Sequence, residues 1–268
     1  MPRWAVRMPF PSVGYLIFCQ QSRQSHVVLA SLTGGGGTTL RAPVYNLLPI
    51  DLRAPPATTL ASLLGSGDEP LLSPTLPTLL LFECVLAYMT PAASNALIQW
   101  FVDYFAAPGG GLLGSVVYEM FKLNDAFGRV MLSNLKVRLS LTLPFAACLN
   151  DLVTNARRQS RNVSLPGAES YPDLASLSRR FLNRGFTTAQ ALTLCEIRRR
   201  YIEPQELQRL SRLELLDEVE ELELVLDHYA ISWGIKFPES WSLERGDVWG
   251  LVPKDRMRNV HDGDDDRQ

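Results

Sequence analysis

The stretch Thr78-Leu-Leu-Leu-Phe-Glu-Cys84 constrains the fold more than any other part of this 268-residue chain. It is apolar at both alternating sets of positions, so as a strand it offers apolar side chains to both faces of a sheet. Such a strand belongs in the middle of a mostly parallel sheet with helices on either side. Its surroundings agree. Thr90-Pro91 is an N-cap followed by a proline at the first helical position, and predicts a helix to about Phe105. Ala93, Leu97, Trp100 and Phe101 then share one face. Upstream, Val44 to Ile50 reads as a buried strand ending at Asp51-Leu52-Arg53, with Thr58 or Thr59 capping a short helix through Leu64. Downstream, Gly114 to Glu119 reads as a strand. Asn124 is placed to cap a helix through about Lys136, with Phe127, Val130, Met131 and Leu135 at helical spacing. Strands alternating with helices between residues 44 and 120 predict an α/β sheet covered on both faces.

Beyond residue 165 the pattern is mostly helical: about 171 to 184, then a strand or helix at Thr188 to Leu194, then Glu203 to Arg209. Asp217 to Asp227 is amphipathic, with Leu222, Val225 and Leu226 expected inside. Tyr229 to Lys236 is a last β-type segment, and Asp262 to Gln268 an acidic, loose tail. Residues 1–30 have no clean period. Val27 to Leu32 followed by Gly34 to Gly37 reads as a flexible or hairpin loop, because too few residues precede the next strand for a parallel crossover.

Composition excludes several functions. Hydrophobic residues make up 46% and charged residues 20%, which a disordered chain does not have. Lys+Arg number 26 against 28 Asp+Glu, so the net charge of −2 supplies no basic field for nucleic acid or an anionic membrane. Leu76 to Met89, the most apolar run, falls short of the ~18 residues of a spanning helix and carries Glu83. Phe10 to Cys19 is followed by no clean signal-cleavage site. The four cysteines lie far apart without a C-x-x-C pair, which points to a reducing compartment, and three histidines do not suggest a metal site.

Two acids stand where chemistry is expected. Asp51 and Glu83 sit at the exits of apolar strands, and open α/β sheets bind ligands outside the carboxyl ends of their strands. Each either serves a ligand or is consumed locally, Asp51 as a loop cap and Glu83 by backbone amides. No nucleophile set is evident: Ser12, Ser115 and Ser176 lack a G-x-S-x-G context. Cys84 reads as a core residue, His228 as a satisfied core or capping side chain, and Arg198-Arg199-Arg200 as a solvated helix end.

Leu76-Pro-Thr-Leu-Leu-Leu-Phe-Glu-Cys-Val-Leu-Ala-Tyr-Met-Thr-Pro91 closely resembles the signature of the leucine carboxyl methyltransferases. Tyr45 to Arg53, Asp125-Ala-Phe-Gly-Arg-Val-Met131, Ser211 to Glu218 and His228-Tyr-Ala-Ile-Ser-Trp233 resemble other parts of the same family, in its fungal form. The resemblance covers about residues 31–250. It implies a class I methyltransferase fold, a Rossmann-like α/β sheet with an added helical lid. It implies methyl transfer from S-adenosylmethionine to the α-carboxylate of the C-terminal leucine of the protein phosphatase 2A catalytic subunit, by a cytoplasmic monomer without metal. Asp51 and Leu52 would contact the adenine, and Glu83 the cofactor near its amino-acid end. Tyr88, Tyr118 and Phe127 would line the cofactor or leucine pocket. No catalytic base is needed, since a terminal carboxyl is already ionised at neutral pH.

The chain departs from that family in two places. The first strand with its glycine-rich cofactor loop, the acid ending the second strand, and the basic residues for carboxylates are not found. The expectation is therefore a methyltransferase domain over 31–258 with its first strands missing, preceded by an unassigned 1–30 and followed by a loose acidic tail, 259–268. On that reading residues 1–268 by themselves bind S-adenosylmethionine poorly and tend to aggregate. The alternatives are a non-catalytic phosphatase-binding module and an unrelated nucleotide-binding α/β protein. The second departure is Val137 to Gln159, which has no family counterpart and reads as retained intron sequence or a surface insertion.

Overall fold

A computed structural model describes residues 14–18, 40–42, 45–64, 71–141, 165–213 and 218–238. The apolar run and its capped successor form as the sequence predicts. Strand β4 is Thr78–Glu83 and helix α2 is Pro91–Tyr104. The Thr90 hydroxyl accepts from the Ala93 amide, and Pro91 follows at the first helical position. Between them a 3-10 turn, Leu86–Tyr88, buries Leu86 and Ala87. Strand β5 is Leu113–Met120, β6 is Thr188–Thr193 and β7 is Tyr229–Lys236. Helix α1 is Pro56–Leu64 and α3 is Ala126–Leu141. The later helices are α4 (Pro166–Glu169), α5 (Leu174–Leu182), α6 (Leu194–Arg200), α7 (Pro204–Ser211) and α8 (Val219–Asp227). None among the described residues is long and apolar enough to cross a membrane.

Four strands make one sheet in the order β4-β5-β7-β6. β4 and β5 are parallel, and β7 runs antiparallel to both β5 and β6. Three strands thus share a direction and β7 is reversed between two of them. The strand expected at residues 44–50 is present over Tyr45–Ile50 but lies elsewhere. β3 (Tyr45–Ile50) is the centre of a separate antiparallel sheet between β1 (Gly14–Phe18) and β2 (Leu40–Ala42). Leu48 and Ile50 of β3 still join the main core, with Leu60, Leu64, Leu80, Phe82, Leu97 and Phe101.

Caps and faces differ in detail from the sequence reading. α1 begins at Pro56, and the Thr58 and Thr59 hydroxyls donate to the Pro55 carbonyl rather than capping. Asp125, not Asn124, opens α3: its carboxylate accepts from the Gly128 amide at 2.8 Å. Val130 is exposed, and Phe127, Met131 and Leu132 form the inner stripe instead. On α8, Leu222 and Leu226 are half-buried and Val225 is exposed. The α3 backbone continues through Leu141, into the stretch read as an insertion; residues 142–164, 1–13, 19–39 and 239–268 lie outside the described residues.

Among the described residues, only one face of the sheet is covered at β4, where both were expected to be. Leu80 and Phe82 are buried, in register with Ser115 and Val117, beneath α2. α5 covers β6 and β7 on the same side, through Leu177 and Phe181. On the other face Leu79 is 64% and Leu81 38% exposed. The Thr78 and Cys84 amides bond toward β5, so the backbone groups of the alternate residues Leu79, Leu81 and Glu83 point to the other edge, with which no described strand pairs. An apolar edge of this kind recruits further strands. Sedimentation velocity is expected to show concentration-dependent association of the chain. A Leu79→Lys, Leu81→Lys double variant should sediment as a monomer with its melting temperature little changed. Equal association of the two would remove β4 as the cause.

Candidate active site

Because β4 and β5 are parallel, their carboxyl ends emerge together, and β7 begins beside them, with Met120 opposite Tyr229. Glu83 is in register with Tyr118 on the open face. Cys84 ends the strand at a φ of 54°, and its amide donates to the Tyr118 carbonyl at 2.7 Å. A non-glycine residue in the left-handed region costs about 1–3 kcal/mol, and here it turns the chain abruptly into the 3-10 turn that carries Tyr88. Tyr118 and Tyr229 stack with ring centroids 5.4 Å apart and planes 19° from parallel. Tyr88 is 39% exposed. The strand exits therefore present an acid, a thiol and three phenols.

These groups interact. Burial pushes the Cys84 thiol up to about 11, helped by the negative charges of Glu83 and Glu119. Tyr118 is pushed up to about 12, again by burial first, then by Cys84, Tyr229 and Glu83. Tyr88 and Tyr229 are raised by burial, with contributions from Cys84. The phenols and the thiol thus stay neutral at physiological pH, and Glu83 supplies the local negative charge. Cys84 is half-buried rather than a core residue, and with a raised pKa it is a poor nucleophile.

The wall continues through Phe127, whose ring lies 4.9 Å from that of His228. His228 is buried. Its Nδ1 lies 2.7 Å from the Leu224 carbonyl, and its Nε2 lies 3.0 Å from each Asp125 carboxylate oxygen. This is the satisfied histidine the sequence suggests. Met131, Leu132 and Tyr229 pack on a small core of Ala87, Met120, Leu123, Leu165 and Ala168 beside the turn. The structure thus brings Glu83, Tyr88, Tyr118 and Phe127 to one end of the sheet. Tyr229 was not singled out from sequence; its only signal is its place at the start of a strand next to His228.

Asp51 and Leu52 stand at the exit of β3. Leu52 packs against the core that contains Phe82, Val85 and Leu86. Asp51 is tied to its own loop: Oδ1 accepts from the Arg53 amide at 3.0 Å and from Nε at 2.8 Å, and Oδ2 from Nη2 at 2.9 Å. The Arg53 hydrogen bonds hold its carboxyl below the usual range. Its carboxylate is ionised and half-exposed, and a ligand that uses it must share it with Arg53.

No family model matches the chain. Leucine carboxyl methyltransferase 1 of Cryptococcus neoformans var. neoformans serotype D (strain JEC21) is 43% identical over 210 residues, 75% of this chain and 51% of that protein. Leucine carboxyl methyltransferase 1 of Aspergillus fumigatus is 31% identical over 212 residues, 74% of this chain and 47% of that one. A tRNA wybutosine-synthesizing protein 4 of Rattus norvegicus is 36% identical over 209 residues, 78% of this chain and 24% of its own length. The chain spans about half the length of the leucine carboxyl methyltransferases it matches. The mixed sheet with parallel β4 and β5, reversed β7 and flanking helices is a class I methyltransferase fold. Over the stretch shared with these relatives, the chain belongs to the leucine carboxyl methyltransferase family.

Proposed function

We propose that this protein transfers a methyl group from S-adenosylmethionine to the α-carboxylate of a C-terminal leucine, that of the protein phosphatase 2A catalytic subunit. The relatives' names support the methyl transfer. The observation that carries the reading on this chain is the exposed Glu83 beside stacked, neutral Tyr118 and Tyr229 at the exits of β4 and β5. A carboxylate and aromatic faces suit a cationic ligand, which π-systems attract.

Bound S-adenosylmethionine would supply an electrophilic methyl group. The acceptor carboxylate, with an ordinary pKa of about 3.3–3.7, is ionised without help. The protein's task is then orientation and exclusion of water, which positioned groups achieve without proton transfer. Glu83 would hydrogen-bond the donor, Tyr88 and Phe127 would shape the acceptor side, and Asp51 with Leu52 would receive the adenine. We propose that the cation needed by the donor's own carboxylate comes from outside the described residues.

Labelled-methyl transfer to a peptide ending in a free leucine carboxylate tests this reading, with the leucine amide as control. The assay uses the 268-residue chain, alone and mixed with the part of the Cryptococcus relative outside the matched region. Base-labile label on the free acid only, in the mixed sample, is expected. No label in either sample, under conditions where the intact relative is active, would overturn it.

A further inference from the structure

We propose that Asp125 and His228 are a positioning pair that holds the aromatic wall of the site, Phe127, Tyr229 and Tyr118. The inference deepens the function proposed above and rests on it. The two residues come from segments that the sequence shows as separate, 103 positions apart. Asp125 opens α3, and His228 closes α8 and opens β7. Each stands next to or two residues before a ring of the wall: Asp125 before Phe127, His228 before Tyr229.

The bonding of the pair is directional. The Leu224 carbonyl can only accept, so Nδ1 of His228 donates to it. Nε2, across the ring, lies within hydrogen-bond distance of both oxygens of Asp125. Asp125 is itself fixed: the Gly128 amide donates to Oδ1, and that bond above all holds its carboxyl below the usual range. Lys122, at a φ of 58°, reaches Asp227 at 3.0 Å and Asp125 at 3.9 Å, joining the same two segments a second time. The imidazole is thus locked at both nitrogens and cannot rotate without losing a bond. Phe127 lies against one side of it, and the backbone that leaves it carries Tyr229 onto Tyr118. A buried histidine bonded at both nitrogens fixes ring orientation in the way that outer partners fix metal-binding histidines, here for an aromatic wall.

Neither residue is itself assigned to substrate, and His228 meets the site through the Phe127 ring, so the pair acts through the rings it orients. Cys84 offers a probe that needs no ligand, since its amide is bonded to the carbonyl of Tyr118, which stacks on Tyr229. Cys195, buried on α6, serves as the control. Maleimide labelling of the full chain, read by peptide mass mapping, compares wild type with Asp125→Asn and His228→Gln. Labelling of Cys84 is expected to accelerate about tenfold, the lower end of what one lost charged hydrogen bond gives, with Cys195 unchanged. Asp125→Asn keeps the side-chain volume and an acceptor for the Gly128 amide, so it reads the same effect if His228→Gln does not fold. In the mixed methyl-transfer assay the same variants should lower kcat/KM for the donor about tenfold or more, within the roughly hundredfold that a misplacement of about 1 Å can cost, because Tyr118 and Tyr229 meet the donor. Unchanged Cys84 labelling, or equal acceleration of both cysteines, would overturn the positioning role. Absence of transfer by the wild type would instead overturn the function, and Cys84 labelling would still decide the role of the pair.

Discussion

Arg180→Met is expected to destabilise the fold by about 3–5 kcal/mol, the cost of breaking a buried ion pair by removing one partner. Arg180 on α5 and Glu119 on β5 are 0% and 1% exposed and bond directly. Ser232 on β7 lies at 3.4 Å from the same Arg180 nitrogen, and the guanidinium sits 4.7 Å from the Tyr171 ring. Removing the arginine strands a carboxylate between sheet and helix. The pair is nonetheless incompletely satisfied: Glu119 Oε2 and Arg180 Nε and Nη1 have no hydrogen-bond partner among the described residues. A half-satisfied buried network gains less than a packed apolar one. The double variant Glu119→Leu, Arg180→Met should therefore recover most of the loss. Urea unfolding midpoints at constant slope measure both. A single variant within about 1 kcal/mol of wild type, the value of an exposed pair, would mean the pair is not buried in solution.

That pair shows what the sequence hides. Arg180 follows Leu177 by three positions and precedes Phe181, so helical spacing alone places it on the buried stripe of α5. Glu119 is the one charged residue of β5. Each position is legible, but their partnership spans 61 residues and depends on how α5 lies across the sheet. The same holds for Asp125 and His228, both visible as parts of motifs and joined only by the fold. Local signals did better. The β4–α2 unit follows directly from an apolar run, a threonine cap and a proline, and the structure reproduces it. β3 was readable as a strand but not as a member of a separate antiparallel sheet, because strand pairing is decided by partners far along the chain. The two apolar faces of β4 describe a strand written for burial on both sides, while the described residues cover one.

Glu83→Ala is expected to weaken binding of S-adenosylmethionine by about 1.5–3 kcal/mol, the worth of a charged hydrogen bond, or roughly 10- to 150-fold. The stability of the unliganded chain should hardly change. Glu83 is exposed at the end of β4, on the face opposite Leu80 and Phe82, so its removal opens no cavity and strands no charge. Calorimetric titration in the mixed sample used for methyl transfer measures the affinity, and Glu83→Gln separates charge from hydrogen bonding. A second readout needs no ligand. Glu83 is one of the charges that raise the Cys84 thiol, after burial itself, to about 11. Losing that negative charge favours the thiolate, so ultraviolet titration of Cys84 should move to lower pH in Glu83→Ala. A thiol that shifts while donor affinity stays constant would place Glu83 at the strand exit without a role in binding. An unshifted thiol would mean that Glu83 does not face the rim, and the binding role would fall with it.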